Sequence, residues 1–450
     1  MARGKKKETL TPEERLQAAL VPESEQPYKV PGNWCWTYLT KGAAECLDSF
    51  RKPINASERA NRAGDIPYYG ATGQVGWIDD FLTNEQLVLV GEDGAPFLDL
   101  IKDKAYIIEG KAWVNNHAHI LRSRFGTVGN LFLMHYLNVF NYNDFVNGTT
   151  RLKLTQGSMD TMPVPIPPLT EQQRIVNRIE SLFAKLDEAK QKAQDALDSF
   201  ETRKAAILHK AFTGELTAQW RKEHGVGMES WEQIQFGDLT SDIRLGLVRS
   251  KVEQNYENQY PYLKMNNITS DGTIDIADIV CIDATEAEVK LFALHCGDFL
   301  FNTRNSYELV GKNAVWNIDY QKNVLFNNNI MRVRFKDGIN PFLISFYLNS
   351  EEGKLKLDKC KKNTTNIAAI YAKNLNQIQI PIMSEGEQSE IVRILDNLLS
   401  KEQQAKEAAE EVLEQIDLIK KAILSRAFRG ELGTNDPGEE SAVELLKQVL

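Results

Sequence analysis

The sequence predicts an α+β protein in which two globular segments alternate with two long helices. The first observation is an internal duplication, because residues 171–216 align without a gap with residues 387–432, with 19 identities in 46 positions. The second is that the segments before each copy, roughly 30–165 and 231–380, mix strand patterns with short helix patterns and Gly/Asn turns. At 450 residues the chain also exceeds what one hydrophobic core usually serves, so several domains are expected.

Each copy of the repeat has the pattern of a long amphipathic helix. Its apolar residues recur at alternating steps of four and three, which keeps one seam facing a partner helix. Two equivalent copies in one chain are therefore expected to pair with each other. The seam residues are Ile175, Ile179, Leu182, Leu186, Ala189, Ala193, Ala196, Phe200 and Ile207 in the first copy, and Ile391, Leu395, Leu398, Ala405, Ala409, Val412, Ile416, Ile419 and Ile423 in the second.

The ends of the two helices are marked by turn-forming residues. Gly214 and Gly430 close the copies, where a glycine commonly ends a helix. The first copy starts after Pro167-Pro168, and we expect Thr170 to be its N-cap. Each helix should run about 40 residues, or roughly 60 Å at 1.5 Å per residue.

The two globular segments open and close alike but differ in between. Both open with a tryptophan and a strand-like run, NWCWTYL and SWEQIQF, and both close in an extended apolar run with proline, MPVPIPPL and IQIPIM. The predicted organisation is an N-terminal extension, a first globular domain, a central repeat, a second globular domain, a second repeat and a C-terminal tail. The boundaries are 1–29, 30–165, 166–230, 231–380, 381–432 and 433–450.

Composition and charge narrow the class of protein. The net charge is −9, and the two globular segments are nearly neutral, with 12 basic and 14 acidic residues in 30–165 and 17 and 18 in 231–380. A free-standing nucleic-acid binder usually carries a basic surplus, so composition does not by itself indicate DNA binding. Five well-separated cysteines, the absence of a long apolar run and an N-terminus without a secretion signal together predict a cytoplasmic protein.

Several sequence motifs then point to one family. The repeat ends read KAAILHKAFTGELTAQWR and KKAILSRAFRGEL, and PIPPLTEQQRIV begins the first helix. The first globular segment contains VLVGEDGAPF and KAWVNNHAHILR, and the second contains YPYLKMNNITSDG and FNTRNSYELVGK. In this order, and over nearly the whole chain, the sequence resembles the specificity subunits of type I restriction–modification enzymes.

The resemblance implies a division of labour. Each globular segment would be a target-recognition domain that reads one half of an asymmetric, split double-stranded DNA site. The two helices would form an antiparallel coiled coil, in a pseudo-two-fold arrangement, that fixes the spacing of the halves. They would also dock two methyltransferase subunits that use S-adenosylmethionine to methylate adenine. Motor-nuclease subunits, which use ATP and magnesium, would complete the prokaryotic complex. This chain itself would hold no cofactor or metal and have no catalytic centre.

The absence of catalytic motifs agrees with a non-catalytic chain. There is no G-x-x-x-x-G-K-[ST] phosphate loop and no Asn-Pro-Pro-aromatic tetrad for holding a flipped adenine. Glu92 and Asp93 are interpreted as turn residues. Two alternatives remain, namely the specificity segment of a fused methyltransferase–nuclease and a scaffold whose globular domains bind proteins. Activity of the chain alone toward DNA would favour the first, and indifference of partner activity to exchange of the domains would favour the second.

Candidate DNA contacts in the second segment lie in three stretches with donors and acceptors suited to base edges and phosphates. One is a turn after a short strand, another follows the strand GDFLF, and the third is KKNTTN in a stretch with six lysines against one acid. Turn-forming asparagine and solvated lysine are the structural alternatives. The residues are Lys264, Asn266 and Asn267; Arg304, Asn305 and Ser306; and Lys361, Lys362, Asn363, Thr364 and Thr365.

Candidate contacts in the first segment lie in a glycine-rich loop (YYGATGQVG), in the NNHAH stretch, and where the chain returns to the helix. The glycine spacing does not fit a dinucleotide fold, so we expect close approach to DNA instead. The His-x-His pair, His117 and His119, has no third ligand at a suitable spacing in the sequence, which disfavours a metal site. Asn115, Asn116, His117 and His119 are expected either to contact DNA or to hydrogen-bond inside the domain. The DNA-contact candidates are Tyr68, Tyr69, Thr72, Gly73 and Gln74; Asn116 and His117; and Thr149, Thr150, Arg151 and Lys153.

Overall fold

A computed structural model of the chain describes residues 10–363 and 367–450. It divides into two compact units, the first comprising Met1–Gln194 and Glu410–Leu450 and the second Asp195–Ala409. Each unit thus contains one globular segment and part of both repeat helices, so the compact units do not end at the domain boundaries expected from the sequence. The mixture of helices and sheets confirms the α+β class.

The helices alternate between short elements of the globular segments and the long repeat helices. They are α1 (Pro12–Ala19), α2 (Ala56–Ala60), α3 (Gly126–Val139), α4 (Gln156–Met159), α5 (Leu169–Asp198), α6 (Phe200–Phe212), α7 (Ala218–His224), α8 (Phe236–Leu239), α9 (Glu286–Phe292), α10 (Pro341–Asn349), α11 (Glu351–Cys360), α12 (Ala372–Leu375), α13 (Glu385–Ala427) and α14 (Ala442–Val449). Within the described residues, no helix is both long enough and apolar enough to cross a bilayer.

The strands are short and fall into two sets, one in each globular segment. The first set is β1 (Cys35–Tyr38), β2 (Ala44–Cys46), β3 (Ile66–Gly70), β4 (Gly73–Ile78), β5 (Thr83–Asn84), β6 (Leu87–Gly91), β7 (Ala105–Ile108), β8 (Lys111–Val114), β9 (Ala118–Ser123), β10 (Val146–Asn147), β11 (Lys153–Leu154) and β12 (Pro163–Ile166). The second set is β13 (Glu232–Gln235), β14 (Thr240–Leu245), β15 (Tyr260–Leu263), β16 (Cys281–Ile282), β17 (Phe299–Asn302), β18 (Arg304–Asn305), β19 (Asn313–Val315), β20 (Leu325–Phe326), β21 (Ile330–Phe335), β22 (Lys362–Asn363), β23 (Ala368–Ala369) and β24 (Gln379–Ile382).

The two globular segments share one topology although their central sequences differ. The four-stranded antiparallel sheet has the order β2-β9-β6-β7 in the first and β14-β21-β17-β19 in the second. A second sheet contains a parallel pair in each, β3 with β8 and β15 with β20. The entry and exit strands also pair antiparallel in each, β1 with β12 and β13 with β24.

The long helices agree with the repeat in length but differ from it at two points. The second is continuous for 43 residues, whereas the first is interrupted at Ser199, whose hydroxyl donates to the Asp195 carbonyl at 2.7 Å. Such back-bonding competes with the helical ladder and often bends helices. Thr170 lies inside α5 and its hydroxyl donates to Glu439 at 2.5 Å, so the N-cap prediction is wrong.

Ion pairs show that the repeat helices pair within each unit. In the first unit, Lys190 lies 3.8 Å from Asp417 and Lys420 lies 2.6 Å from Asp187. Residue numbers rise along α5 as they fall along α13, so these segments run in opposite directions. In the second unit, Arg203 of α6 pairs with Glu402 of α13 at 2.8 Å.

The apolar seam of α13 is only partly buried. Ile391, Leu395, Ala409 and Ile416 are buried as predicted. Ala405, Val412 and Ile419 are exposed, which contradicts the predicted seam at these positions. Near its end α13 instead turns Leu424 and Ala427 into the core of the globular segment, and a helix with two neighbours cannot keep one strict seam.

Both ends of the chain contribute to the core of the first unit. Ala19 and Val21 on one side, and Ala442 and Leu446 of α14 on the other, are buried in the same cluster as Trp36. The described part of the N-terminal extension and the C-terminal segment are therefore packed structure, and describing residues 433–450 as a tail is wrong.

A buried glutamate at the start of α5 joins three parts of the first unit. Glu171 is fully buried, and Trp34, the residue before β1, donates its indole N–H to the Glu171 Oε2 at 2.8 Å. Asn435 donates to the same oxygen at 2.8 Å, and Thr434 donates to Oε1 at 3.3 Å. Thr434 and Asn435 follow the second repeat helix, so the carboxylate connects the start of the first globular segment to a segment far along the chain.

The equivalent glutamate of α13, 216 positions later, repeats the arrangement in the second unit. Glu387 is fully buried and accepts the Trp231 indole N–H at 3.0 Å. Thr217 and Arg221, which follow the first repeat helix, each donate to Oε1 at 2.7 Å. A buried charge is stable only when it is paired and hydrogen-bonded, so this contact couples the fold of three segments.

We predict that Glu387→Ala lowers the free energy of unfolding by about 3–5 kcal/mol, because it leaves the Arg221 guanidinium buried without its carboxylate. Glu410→Ala, which removes an exposed glutamate from the same helix, should change it by less than about 0.5 kcal/mol. Thermal and urea unfolding of both variants against the wild type measures this. Equal losses in the two variants would show that the buried carboxylate is not a special contact.

Candidate nucleic-acid interface

Four loops of the first unit meet at one end of its two four-stranded sheets. Gly91 shows how closely they pack, because a Cβ there would lie 2.3 Å from the Ala95 Cβ and 3.1 Å from the Ala71 carbonyl oxygen. Only glycine allows this approach. We call these the first reader loops: 70–74 between β3 and β4, 91–94 after β6, 115–117 between β8 and β9, and 148–153 between β10 and β11.

Ion pairs and hydrogen bonds hold the first reader loops together. The Glu92 backbone N–H donates to the His117 carbonyl at 2.7 Å. Asp93 Oδ1 lies 2.7 Å from His117 Nδ1 and 2.8 Å from the Arg151 guanidinium. Lys153 pairs with Glu92 at 3.0 Å. The two acids predicted as turn residues are therefore the centre of this surface, and they neutralise its cations.

A more buried network lies beneath these loops. Arg51 contacts both Asp48, at 2.9 Å, and Glu92, and His119 Nδ1 lies 2.6 Å from Asp48. Burial raises the pKa of the Glu92 carboxyl, but the hydrogen bonds from Arg51 and Lys153 outweigh it and hold that pKa below its ordinary value. Burial likewise opposes ionisation of Asp48, yet its hydrogen bond with His119 brings its pKa below the ordinary value.

The same network corrects the sequence argument about a metal. Asp48, Glu92 and His119 place their ligand atoms within 4.8 Å of one another, so partners for His119 do lie nearby in space, although His117 is not among them. However, His119 already uses both ring nitrogens, Nδ1 toward Asp48 and Nε2 toward the Leu154 carbonyl at 2.9 Å. Arg51 bridges the two carboxylates where a cation would sit. The donor set therefore fits an ion-pair network better than a metal centre.

Of the remaining residues predicted to contact DNA in the first unit, five are accessible to solvent. Thr72, Gln74, Asn116, Thr149 and Thr150 are exposed on the first reader loops.

Two tyrosines and a glycine of the first unit play structural parts. Tyr68 is 2% exposed in a small core with Trp113, so we withdraw it as a DNA contact. Tyr69 is half-buried with its ring centroid 5.9 Å from that of Tyr106. Gly73 has φ +136°, which explains a glycine in this turn.

Equivalent loops meet in the second unit. We call them the second reader loops: 264–267 after β15, 303–306 after β17, 327–329 between β20 and β21, and the described parts of 361–371 around β22 and β23. The Thr303 N–H donates to the Asn329 carbonyl at 2.8 Å, and the Ile370 N–H donates to the Thr303 carbonyl at 3.0 Å. The Asn327 N–H donates to the Leu263 carbonyl at 2.9 Å, and Lys362 pairs with Ala369. The candidate stretches around Lys264, Arg304 and Lys362 are thus brought to one end of this unit too.

Several predicted residues of the second unit serve its turns. Asn267 is 3% exposed, accepts from the Lys264 N–H at 2.9 Å and donates to the Asp275 carbonyl at 3.0 Å, so we withdraw it as a DNA contact. The Asn305 amide donates to Asn302 at 3.0 Å. For these asparagines the turn-forming alternative describes the observed bonding.

The KKNTTN stretch is described only in part. Lys361 pairs with Asp358 at 2.7 Å and donates to the Tyr307 carbonyl at 2.8 Å, which binds it to the protein. Lys362 is exposed and Asn363 belongs to β22. Thr364 and Thr365 lie outside the described residues.

Arg304 is an accessible cation of the second reader loops. Its side chain is exposed and makes no hydrogen bond or ion pair with any residue that the structure describes, and Ser306 beside it is also exposed. Arg304 borders a cleft of about 730 Å³ whose walls include Arg244, Asn328 and Tyr371. The sequence argument missed these three wall residues.

A recurrent pair of short motifs could have revealed the equivalent loops. Tyr68 in IPYYG and Tyr262 in YPYLK are both buried on parallel-paired strands. Asn115 in VNNH and Asn327 in FNNN each accept at 2.8 Å from the N–H two residues on. Asn328 is therefore the counterpart of Asn116, which only an alignment of the two segments would show.

Comparison with known proteins decides the family. A family model described as "Type I restriction modification DNA specificity domain" matches residues 45–197 and 228–415. Each match covers most or all of a globular segment and part of the repeat helix that follows it, and together they cover most of the chain. This chain belongs to that family. It is a specificity subunit of the type I restriction–modification class, a DNA-recognition component rather than a catalytic one.

Individual relatives agree with the family. The chain is 26% identical over 334 residues to the EcoKI specificity subunit of Escherichia coli K12, covering 71% of this chain and 70% of that one. It is 36% identical over 141 residues, 31% of this chain and 35% of the relative, to a putative type I specificity subunit of Haemophilus influenzae. The crystal structure of the HsdS subunit from Thermoanaerobacter tengcongensis has the same fold, with a TM-score of 0.61 at 20% identity over 91% of this chain and all of that one.

We predict that Glu92→Gln destabilises this specificity subunit most at neutral pH. Because the pKa of folded Glu92 lies below its ordinary 4.5, ionised Glu92 stabilises the fold above that value, and the stability is lost as the pH falls through the folded value. The gap in Tm between wild type and variant should therefore shrink between about pH 6 and about pH 3. Glu109→Gln, at an exposed glutamate, is the matched control, and a gap independent of pH would contradict the role of the ionised carboxylate.

Proposed function

We propose that the two globular segments are target-recognition domains that read the two halves of an asymmetric, bipartite double-stranded DNA site. The observation that carries the proposal is the pair of equivalent reader loops, which have one topology but different side chains. A shared fold with unlike surfaces suits two readers of unlike base sequences. Direct readout of a base sequence requires exposed donors and acceptors on the protein that can hydrogen-bond with the base edges.

The repeat helices are proposed to set the spacing of the half-sites and to dock two methyltransferase subunits. The pairing of the repeat helices within each unit supports the spacing role. The exposed apolar residues Val412, Leu418 and Ile419 of α13 support docking, because apolar side chains left in water are common at interaction sites. The methyltransferase subunits would bind S-adenosylmethionine, and motor-nuclease subunits would bring ATP and magnesium. The site of action would be the prokaryotic cytoplasm, where the DNA is.

The partners are also proposed to supply much of the grip on phosphates. Arg151 and Lys153 are already paired with Asp93 and Glu92, so the first reader loops offer little uncompensated positive charge. Base readout would then be the main task of this chain. Tight binding of DNA by the isolated chain, with a steep salt dependence, would count against this division.

We predict that a methylation-free host expressing this chain with its cognate methyltransferase carries methyladenine in one split motif with a fixed gap. Single-molecule sequencing of the genome measures it. Replacing residues 231–380 with the corresponding segment of a relative should alter one half of the motif and leave the other unchanged. An unmethylated genome despite a soluble, stable complex, or a motif indifferent to the replacement, would favour the scaffold alternative.

We also predict that lengthening both repeat helices together lengthens the gap. One added heptad in each copy extends the pair by about 10 Å at 1.5 Å per residue, or roughly three base pairs at 3.4 Å each. The halves themselves should stay the same. A heptad added to one helix only is the control, since it breaks the pairing and should abolish methylation. An unchanged gap between the half-sites after the double insertion would show that the helices do not set this spacing.

A further inference from the structure

The two sets of reader loops contain one structurally equivalent position with opposite charge. Glu92 and Thr303 are equivalent because the backbone N–H of each donates to the loop after the parallel-paired strand of its unit. The Glu92 N–H donates to the His117 carbonyl, after β8, at 2.7 Å. The Thr303 N–H donates to the Asn329 carbonyl, after β20, at 2.8 Å. The residues that follow them are Asp93 and Arg304.

The returning strands confirm the equivalence independently. Asp93 forms an antiparallel bridge with Lys153, and Arg304 forms one with Ala369. Ala369 lies 369 − 153 = 216 positions after Lys153, the same displacement that relates the two repeat helices. The backbones therefore place Asp93 and Arg304 at the same point of the same fold.

The two side chains offer opposite hydrogen-bonding chemistry. A carboxylate only accepts, whereas a guanidinium only donates, through a planar fork that fits paired acceptors. Arg304 is exposed at the mouth of its cleft. On Asp93, His117 and Arg151 both bind Oδ1, and no hydrogen bond from the described residues ends on Oδ2.

The hydrogen-bonding groups around Asp93 explain how an acid can face DNA. A lone carboxylate would be repelled by the phosphates, but His117 and Arg151 lie within hydrogen-bonding distance of its other oxygen. They orient the carboxylate, and the Arg151 guanidinium offsets its charge. Oδ2, with the Asp93 side chain 23% exposed, remains available to a donor from outside.

We propose that this shared position determines specificity at one base of each half-site, with Arg304 reading a guanine in one half-site and Asp93 requiring a base with an exocyclic amine, cytosine or adenine, in the other. Arginine donates to the guanine O6 and N7 edge, and a carboxylate accepts from an amine in the major groove. This inference rests on the proposed function, because it assumes that the reader loops face DNA. It adds which chemistry each reader demands and where.

The test is methylation mapping with the full complex carrying Arg304→Ala or Asp93→Asn. Arg304→Ala should relax one guanine in the half-site read by residues 231–380, lowering discrimination there by about tenfold to a hundredfold. Asp93→Asn, which keeps the size of the side chain, should relax one cytosine or adenine in the other half. Arg304→Lys, which keeps the charge but loses the fork, should relax the same guanine as Arg304→Ala.

Controls separate readout from charge. Lys290→Ala removes an exposed cation of α9, outside the second reader loops, and should leave the motif and its methylation level unchanged. If Arg304→Ala lowers methylation equally at all sites and relaxes no base, Arg304 binds a phosphate and the inference is wrong. The inference is equally wrong if both variants relax the same half-site. In both cases the split wild-type motif would still support the proposed function, whereas a wild-type complex without one would overturn both.

Discussion

Glu171 and Glu387 impose the constraint on which the rest of the molecule depends. A fully buried carboxylate is costly to remove from water, and it becomes favourable only when several donors surround it. Its donors come from parts of the chain that are far apart in sequence, Trp34 at 137 residues and Asn435 at 264 residues from Glu171. The globular segment, the start of one repeat helix and the end of the other must therefore fold together. The neighbouring Gln172 and Gln388 are also buried, and each donates to a carbonyl five residues earlier.

Local patterns predicted the long helices well and the packing around them poorly. The apolar steps of four and three involve only residues that are close in sequence. The length of α13, and its end near Gly430, could therefore be predicted from the sequence. The exposure of Ile419 and the burial of Leu424 and Ala427 reflect a second neighbour, the core of the globular segment, which no local pattern contains. The donors of Glu171 were unpredictable for the same reason, since they are remote in sequence.

The candidate site was predicted by region rather than by residue. The stretches around Thr72, His117 and Arg151 were singled out from the sequence, and the topology brings them together. Within such stretches, polar side chains that satisfy turn backbone resemble those that face solvent. Asn267 was assigned to DNA for this reason, and Tyr68 because it begins a glycine-rich stretch; both proved to be buried. The nearly neutral net charge of the globular segments likewise did not show how the charges are arranged. The acids of the first reader loops are bound directly to the cations of the same loops.

The pairing of β1 with β12, and of β13 with β24, has a consequence for how such a chain can change over evolutionary time. Because Cys35 is paired with Ile166 and Glu232 with Ile382, each globular segment enters and leaves its unit at neighbouring points. An inserted domain whose ends already meet adds little loop-closure entropy to its host. Recombination could therefore exchange a whole segment while the junction of two short strands and one tryptophan–glutamate bond is preserved. The host would then acquire a new recognition surface without a new folding problem.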